Sequence, residues 1–136
     1  MPQPLPQERW MIATNGTKYA SDAVSYAAKL YTLYSNKPHV VLMMVVQTEQ
    51  DREDAKSILE ISKYLFEDIA GKGSNLQLLL EDGEPGTAIA RAADQGNMDH
   101  VFLGGSDFQW DITEGDGVPT SNIVLDRIKG TVTLVK

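Results

Sequence analysis

The stretch HVVLMMVV, residues 39 to 46, decides the fold. After its histidine it is apolar without a break and rich in valine. Alternation would mark a strand with one wet face. Unbroken hydrophobicity marks a strand covered on both faces, as in a parallel sheet. Upstream, Trp10-Met11-Ile12-Ala13 is a shorter run of the same kind, and it breaks at Thr14-Asn15-Gly16-Thr17. That is a strand followed by a turn, with Thr17 or Ser21 as the helix cap. Ala20, Ala23, Val24, Ala27, Leu30, Tyr31 and Tyr34 then fall on one helical stripe that stops before Pro38.

Downstream the same alternation continues. Gln47 to Asp54 is polar, and Ala55, Ile58, Leu59, Ser62, Leu65, Phe66 and Ile69 form a second stripe, ended by Gly71 and Gly73. Leu76 to Leu80 is a third strand, and Glu81 to Gly86 reads as a turn into a short helix with Ile89, Ala92 and Ala93 inward. Val101-Phe102-Leu103 is a fourth strand. After a long connection from Gly104 to Ser121, Pro119 suits a first helical turn, with Ile123, Val124 and Ile128 as the buried face. Thr131 to Val135 closes the chain as a fifth strand. Five buried strands alternating with four amphipathic helices predict a single α/β domain over residues 9 to 136, an open parallel sheet between helices. Residues 1 to 8, with three of the six prolines, are expected to be a flexible arm.

Composition narrows the function. The 136 residues suit one domain. The apolar run at Val40 to Val46 is far shorter than the roughly 20 residues of a membrane helix, so no membrane partner is expected. The opening MPQPLPQER has no apolar core, so no signal peptide is expected. There is no cysteine, which removes disulfides and thiolate chemistry and fits a reducing, cytoplasmic setting. The formal charge is −7, and Ala92 to Asp126 holds seven acids and no Lys or Arg. Such a field repels a phosphate backbone, so nucleic acid is not an expected partner.

In open α/β sheets, ligands bind beyond the carboxyl ends of the strands. The loops Thr14–Thr17 and Gly104–Ser121 are the candidates, since both carry glycines that let backbone N–H groups approach a ligand. Gly104-Gly105 serves equally as a tight strand exit or a ligand contact. Ser106 lacks the Gly-x-Ser-x-Gly elbow, and both His39 and His100 stand at strand starts, so no catalytic residue is expected. The five tyrosines are expected to pack at the core edge. Met43 and Met44 read as core residues, and no metal site is expected.

Several stretches together resemble the universal stress protein family. ATNGTKYASDAVSYAAKL (13 to 30) resembles its opening strand, turn and alanine-rich helix. VVLMMVV resembles its second strand, EDGEPGTAIARAA (81 to 93) its Gly-x-Pro segment, HVFLGGS its fourth strand, and SNIVLDRIKGTVTLVK its closing helix and strand. The resemblance spans about residue 8 to residue 136. It implies strand order 3-2-1-4-5 and a homodimer paired through the last strand. It also implies ATP or AMP as the ligand class, held by a Gly-x2-Gly-x9-Gly-Ser/Thr loop after strand 4. Carried over, the first glycine is Gly104 and the third Gly117, while the second falls on Asp107 and the hydroxyl position on Val118. Thr120 or Ser121 would have to supply that hydroxyl. Asn15 stands where the family has an acid. Val45 matches the position that meets adenine, and Ala13, Thr14 and Leu103 match other pocket-lining positions. Asp107, Asp111, Glu114 and Asp116, with no base among them, oppose a triphosphate. The expectation is therefore a non-catalytic, stress-type regulatory or interaction domain, with a protein partner of unstated identity and ATP bound weakly or not at all. The alternative is a genuine ATP- or AMP-binding domain using the same two loops.

Overall fold

The structure, a computed structural model, describes residues 7–104 and 120–136, leaving aside the side chains of residues 120–122. The strands are β1 (Arg9–Ala13), β2 (His39–Val46), β3 (Gln77–Asp82), β4 (His100–Gly104) and β5 (Thr131–Val135). The helices are α1 (Lys18–Thr32), α2 (Arg52–Ala70), α3 (Pro85–Gln95) and α4 (Thr120–Arg127). All strand pairs are parallel, in the order β3-β2-β1-β4-β5. This is the α/β architecture read from the sequence pattern and the strand order that the family resemblance implies.

Period-two alternation sorts each strand onto two cores. Trp10, Ile12, Val40, Leu42 and Phe102 pack against Val24, Ala27, Leu59 and Phe66 of α1 and α2. Met11, Ala13, Val41, Met43, Val101 and Leu103 pack against Ile89 of α3 and Val124 of α4. The unbroken apolar run of β2 is thus consumed by helices on both sides. The predicted stripe of α2 recurs as observed burial at Ala55, Leu59, Ser62 and Phe66.

Three local readings differ. β3 continues through Glu81 and Asp82 instead of turning there, because both pair in register with Val45 and Val46 of β2. Their carboxylates are met by Arg91 at 3.6 Å and Arg52 at 2.6 Å. α2 starts at Arg52 after a 3₁₀ turn at Glu49–Asp51; the acids Glu53 and Asp54 suit the positive end of the helix. Of the tyrosines, only Tyr31 is buried. Tyr19, Tyr26 and Tyr64 are exposed, and Tyr34 lies past the end of α1.

At the amino ends of the strands, Trp10 is completely buried at the centre of an aromatic cluster. Its ring lies 5.1 Å from those of Tyr34 and Phe102 and 5.8 Å from that of His100. The Glu8 carboxylate accepts its indole N–H at 3.3 Å. The Glu8 carbonyl accepts the His39 N–H at 2.8 Å.

His100 stacks on Phe102 at 4.0 Å, and its Nε2 lies 2.7 Å from Thr133 Oγ1 on β5. Burial pushes its pKa below the ordinary 6.5, against the pull of the Glu8 carboxylate. Folding therefore favours the neutral ring. The stability this contributes is complete above the unfolded value of 6.5 and is lost as pH falls through it. Melting midpoints of the wild type should fall between about pH 7.5 and 5.5, and His100→Gln should flatten that slope. An unchanged slope in the variant would remove His100 from the account.

Candidate functional site

A cleft of about 520 Å³ opens at the carboxyl ends of β1 and β2. Ala13, Thr14 and Asn15 come from the end of β1, and Met43, Met44 and Val45 from β2. Asp51, Asp54 and Ile58 at the start of α2 form one wall, and Pro85 and Ile89 at the start of α3 the other. Its size suits a small organic ligand. Another cleft, about 290 Å³, lies at the opposite end of the sheet beside Asp99, Arg127 and Lys129. It is remote from the strand ends where such folds bind ligands.

The turn after β1 is ordered by its own side chains. The Thr14 N–H donates to the Met43 carbonyl at 2.9 Å, tying the turn to β2. Asn15 Oδ1 accepts from the Thr17 N–H at 3.2 Å and the Thr17 hydroxyl at 2.6 Å, an Asx turn. Gly16 takes φ +82°, a conformation that a β-carbon disfavours. Thr17 holds the N-cap position of α1 without a side-chain cap bond, and Ser21 lies inside the helix. Asn15 is thus the organiser of this terminus. Asn15→Ala should cost about 1 kcal/mol, read as a lowered urea midpoint at unchanged slope. No shift would mean that the turn holds without it.

Of the sequence-predicted site residues, Ala13, Thr14, Asn15 and Val45 share this cleft. Leu103 and Gly104 are not among its lining residues; they are buried at the end of β4, on the other side of β1. A β-carbon on Gly104 would stand 2.5 Å from the Tyr19 carbonyl carbon and 2.7 Å from the Ala20 nitrogen. The glycine is therefore needed for the first turn of α1 to lie against β4. Gly117 and the acids Asp107 to Asp116 lie outside the described residues. Thr120 and Ser121 open α4, and nothing in the described part defines their side chains.

Sequence reasoning missed Gln47, Thr48, Asp51, Asp54 and Ile58, which line the cleft from the segment after β2. The signal was present: that segment also follows a strand's carboxyl end, although it carries no glycine. Thr48 donates its hydroxyl to Asp51 at 2.7 Å. Among the described lining residues, the only charges are Asp51 and Asp54. The neighbouring Arg52 is turned to Glu49 at 3.1 Å and Asp82 at 2.6 Å. Among the described residues, no group of three or more acids or histidines could hold a metal ion.

No protein-family model and no curated protein sequence matches the chain. Solved structures do. A universal stress protein in complex with cAMP superposes with TM-score 0.74 at 16% identity, covering 95% of this chain and 96% of that one. The universal stress protein from Archaeoglobus fulgidus in complex with dAMP gives TM-score 0.74 at 17% identity, covering 95% and 98%. A universal stress protein family member from Burkholderia pseudomallei gives 0.71 at 15%, covering 94% and 95%. With strand order, two-sided helical cover and near-complete overlap in agreement, the chain has the universal stress protein fold.

Proposed function

We propose that this chain is a non-catalytic, cytoplasmic stress-response domain that regulates through a small ligand and a protein partner, and that pairs with itself through β5. Its cleft takes an adenine nucleoside or monophosphate and holds ATP weakly or not at all. The observation that carries this reading is the charge of the cleft wall: among the described lining residues the charges are Asp51 and Asp54, and the neighbouring Arg52 is turned to Glu49 and Asp82. A triphosphate brings roughly four negative charges, and each carboxylate within about 4 Å opposes one of them by about 1–4 kcal/mol, depending on the local dielectric. A monophosphate meets less of this. The two similar proteins described as complexes hold cAMP and dAMP, each with a single phosphate.

A second reading has its own support. α4 begins at Thr120, and a helix start attracts phosphate. On that reading the loops after β1 and β4 hold ATP or AMP fully, with Asn15, Val45, Gly104 and Gly117 in contact. Thermal shifts with adenosine, AMP and ATP at matched concentration separate the two. The order adenosine or AMP above ATP, with the gap narrowing as salt rises, is expected. ATP giving the largest shift at low salt would favour the second reading.

A further inference from the structure

We propose that β3 is a self-pairing edge, through which two copies of this chain join antiparallel about Leu79. This goes beyond β5 pairing and is independent of the ligand. β3 stands at the end of the sheet opposite β5, so one side of its backbone faces away from β2. Its sequence there, Gln77-Leu78-Leu79-Leu80-Glu81, contains neither the lysine nor the proline that commonly blunts an edge. Its two acidic residues are already met within the chain, Glu81 by Arg91 at 3.6 Å and Asp82 by Arg52 at 2.6 Å. Charge at the edge therefore does not repel a second strand.

The chemistry of this segment is self-complementary about its centre. Gln77, Leu79 and Glu81 pair in register with Val41, Met43 and Val45, so they share the α3 face; Leu78 and Leu80 share the α2 face. With Leu79 on a two-fold axis, Gln77 of each copy lies opposite Glu81 of the other, and Leu78 opposite Leu80. The Gln77 amide oxygen faces His39 Nε2 at 3.3 Å, which leaves its NH₂ to donate to the facing carboxylate. On both faces the cover beside β3 is incomplete. A groove of about 300 Å³ is lined by Leu59, Leu78 and Leu80, with Lys56 and Glu60 at its rim. On the other face a groove of about 220 Å³ includes Val41, Leu79 and Met98. The second copy's leucines extend these apolar surfaces.

Two variants test this. Gln77 is exposed, so Gln77→Glu should keep the fold while placing two carboxylate pairs face to face. With β5 also paired, the β3 contact carries association beyond a dimer, so the dissociation constant of that further step, from sedimentation equilibrium, should rise by about tenfold or more, and Gln77→Lys should not weaken it. The chain has no cysteine, so Leu79→Cys introduces a single thiol. Directly opposed strand residues are close enough for a disulfide, so mild oxidation with diamide should cross-link this variant at low protein concentration. A wild type that stops at a dimer, indifferent to Gln77→Glu and with no cross-link in the Leu79→Cys variant, overturns β3 pairing and leaves β5 pairing standing. A wild type that stays monomeric overturns both.

Discussion

Trp10→Ala is expected to lower stability by about 3–5 kcal/mol. The side chain is completely buried and touches the rings of Tyr31, Tyr34, His100 and Phe102, which belong to α1, the segment after it and β4. Removing it opens a cavity where three parts of the chain meet, and it leaves the Glu8 carboxylate without its indole donor. Domains of this kind hold roughly 5–15 kcal/mol in all, so the loss is a large share. Urea unfolding followed by far-ultraviolet circular dichroism reads it directly. Trp10→Phe, which keeps most of the apolar volume, should lose less than half as much. A cost under about 1 kcal/mol for the alanine variant would mean that the cluster collapses to refill the space.

Gly104→Ala is expected to cost about 3 kcal/mol, at the upper end of the penalty for overpacking. The obstruction is main chain: the Tyr19 carbonyl carbon and oxygen at 2.5 and 2.6 Å and the Ala20 nitrogen at 2.7 Å. A flexible side chain could swing away, but the first turn of α1 can yield only by moving as a helix. For a chain of this length the midpoint of thermal unfolding should fall by roughly 10 °C. An equal loss with and without nucleotide would assign Gly104 to packing. A wild-type melting curve for the variant would show that α1 does not press on β4.

The fold was readable because its signals are local. Val40 to Val46 is apolar throughout, and the spacing of Ala55, Leu59, Ser62 and Phe66 marks the inner face of α2 before any contact is known. The end of β3 was not readable. Glu81-Asp82-Gly83 has turn composition, and it is Arg52, thirty residues away in sequence from Asp82, together with Arg91 on α3, that makes an extended acidic end acceptable. Half of the cleft was hidden for a related reason. Gln47 to Asp54 looks like a solvated connector, and it becomes a wall only when the start of α2 stands beside the strand ends. Gly104 was recognised as special, but glycine alone does not say whether a ligand or a helix needs the space. The approach of Tyr19 and Ala20 supplies the packing reason.

The central claim is that the charge around this cleft resists a polyphosphate. Calorimetric titration of the intact protein with ATP and magnesium at low ionic strength tests it most directly. The account predicts a dissociation constant of roughly millimolar or weaker, about 4 kcal/mol of binding at most. A micromolar constant, unchanged when Asp51 and Asp54 are both replaced by asparagine, would contradict it.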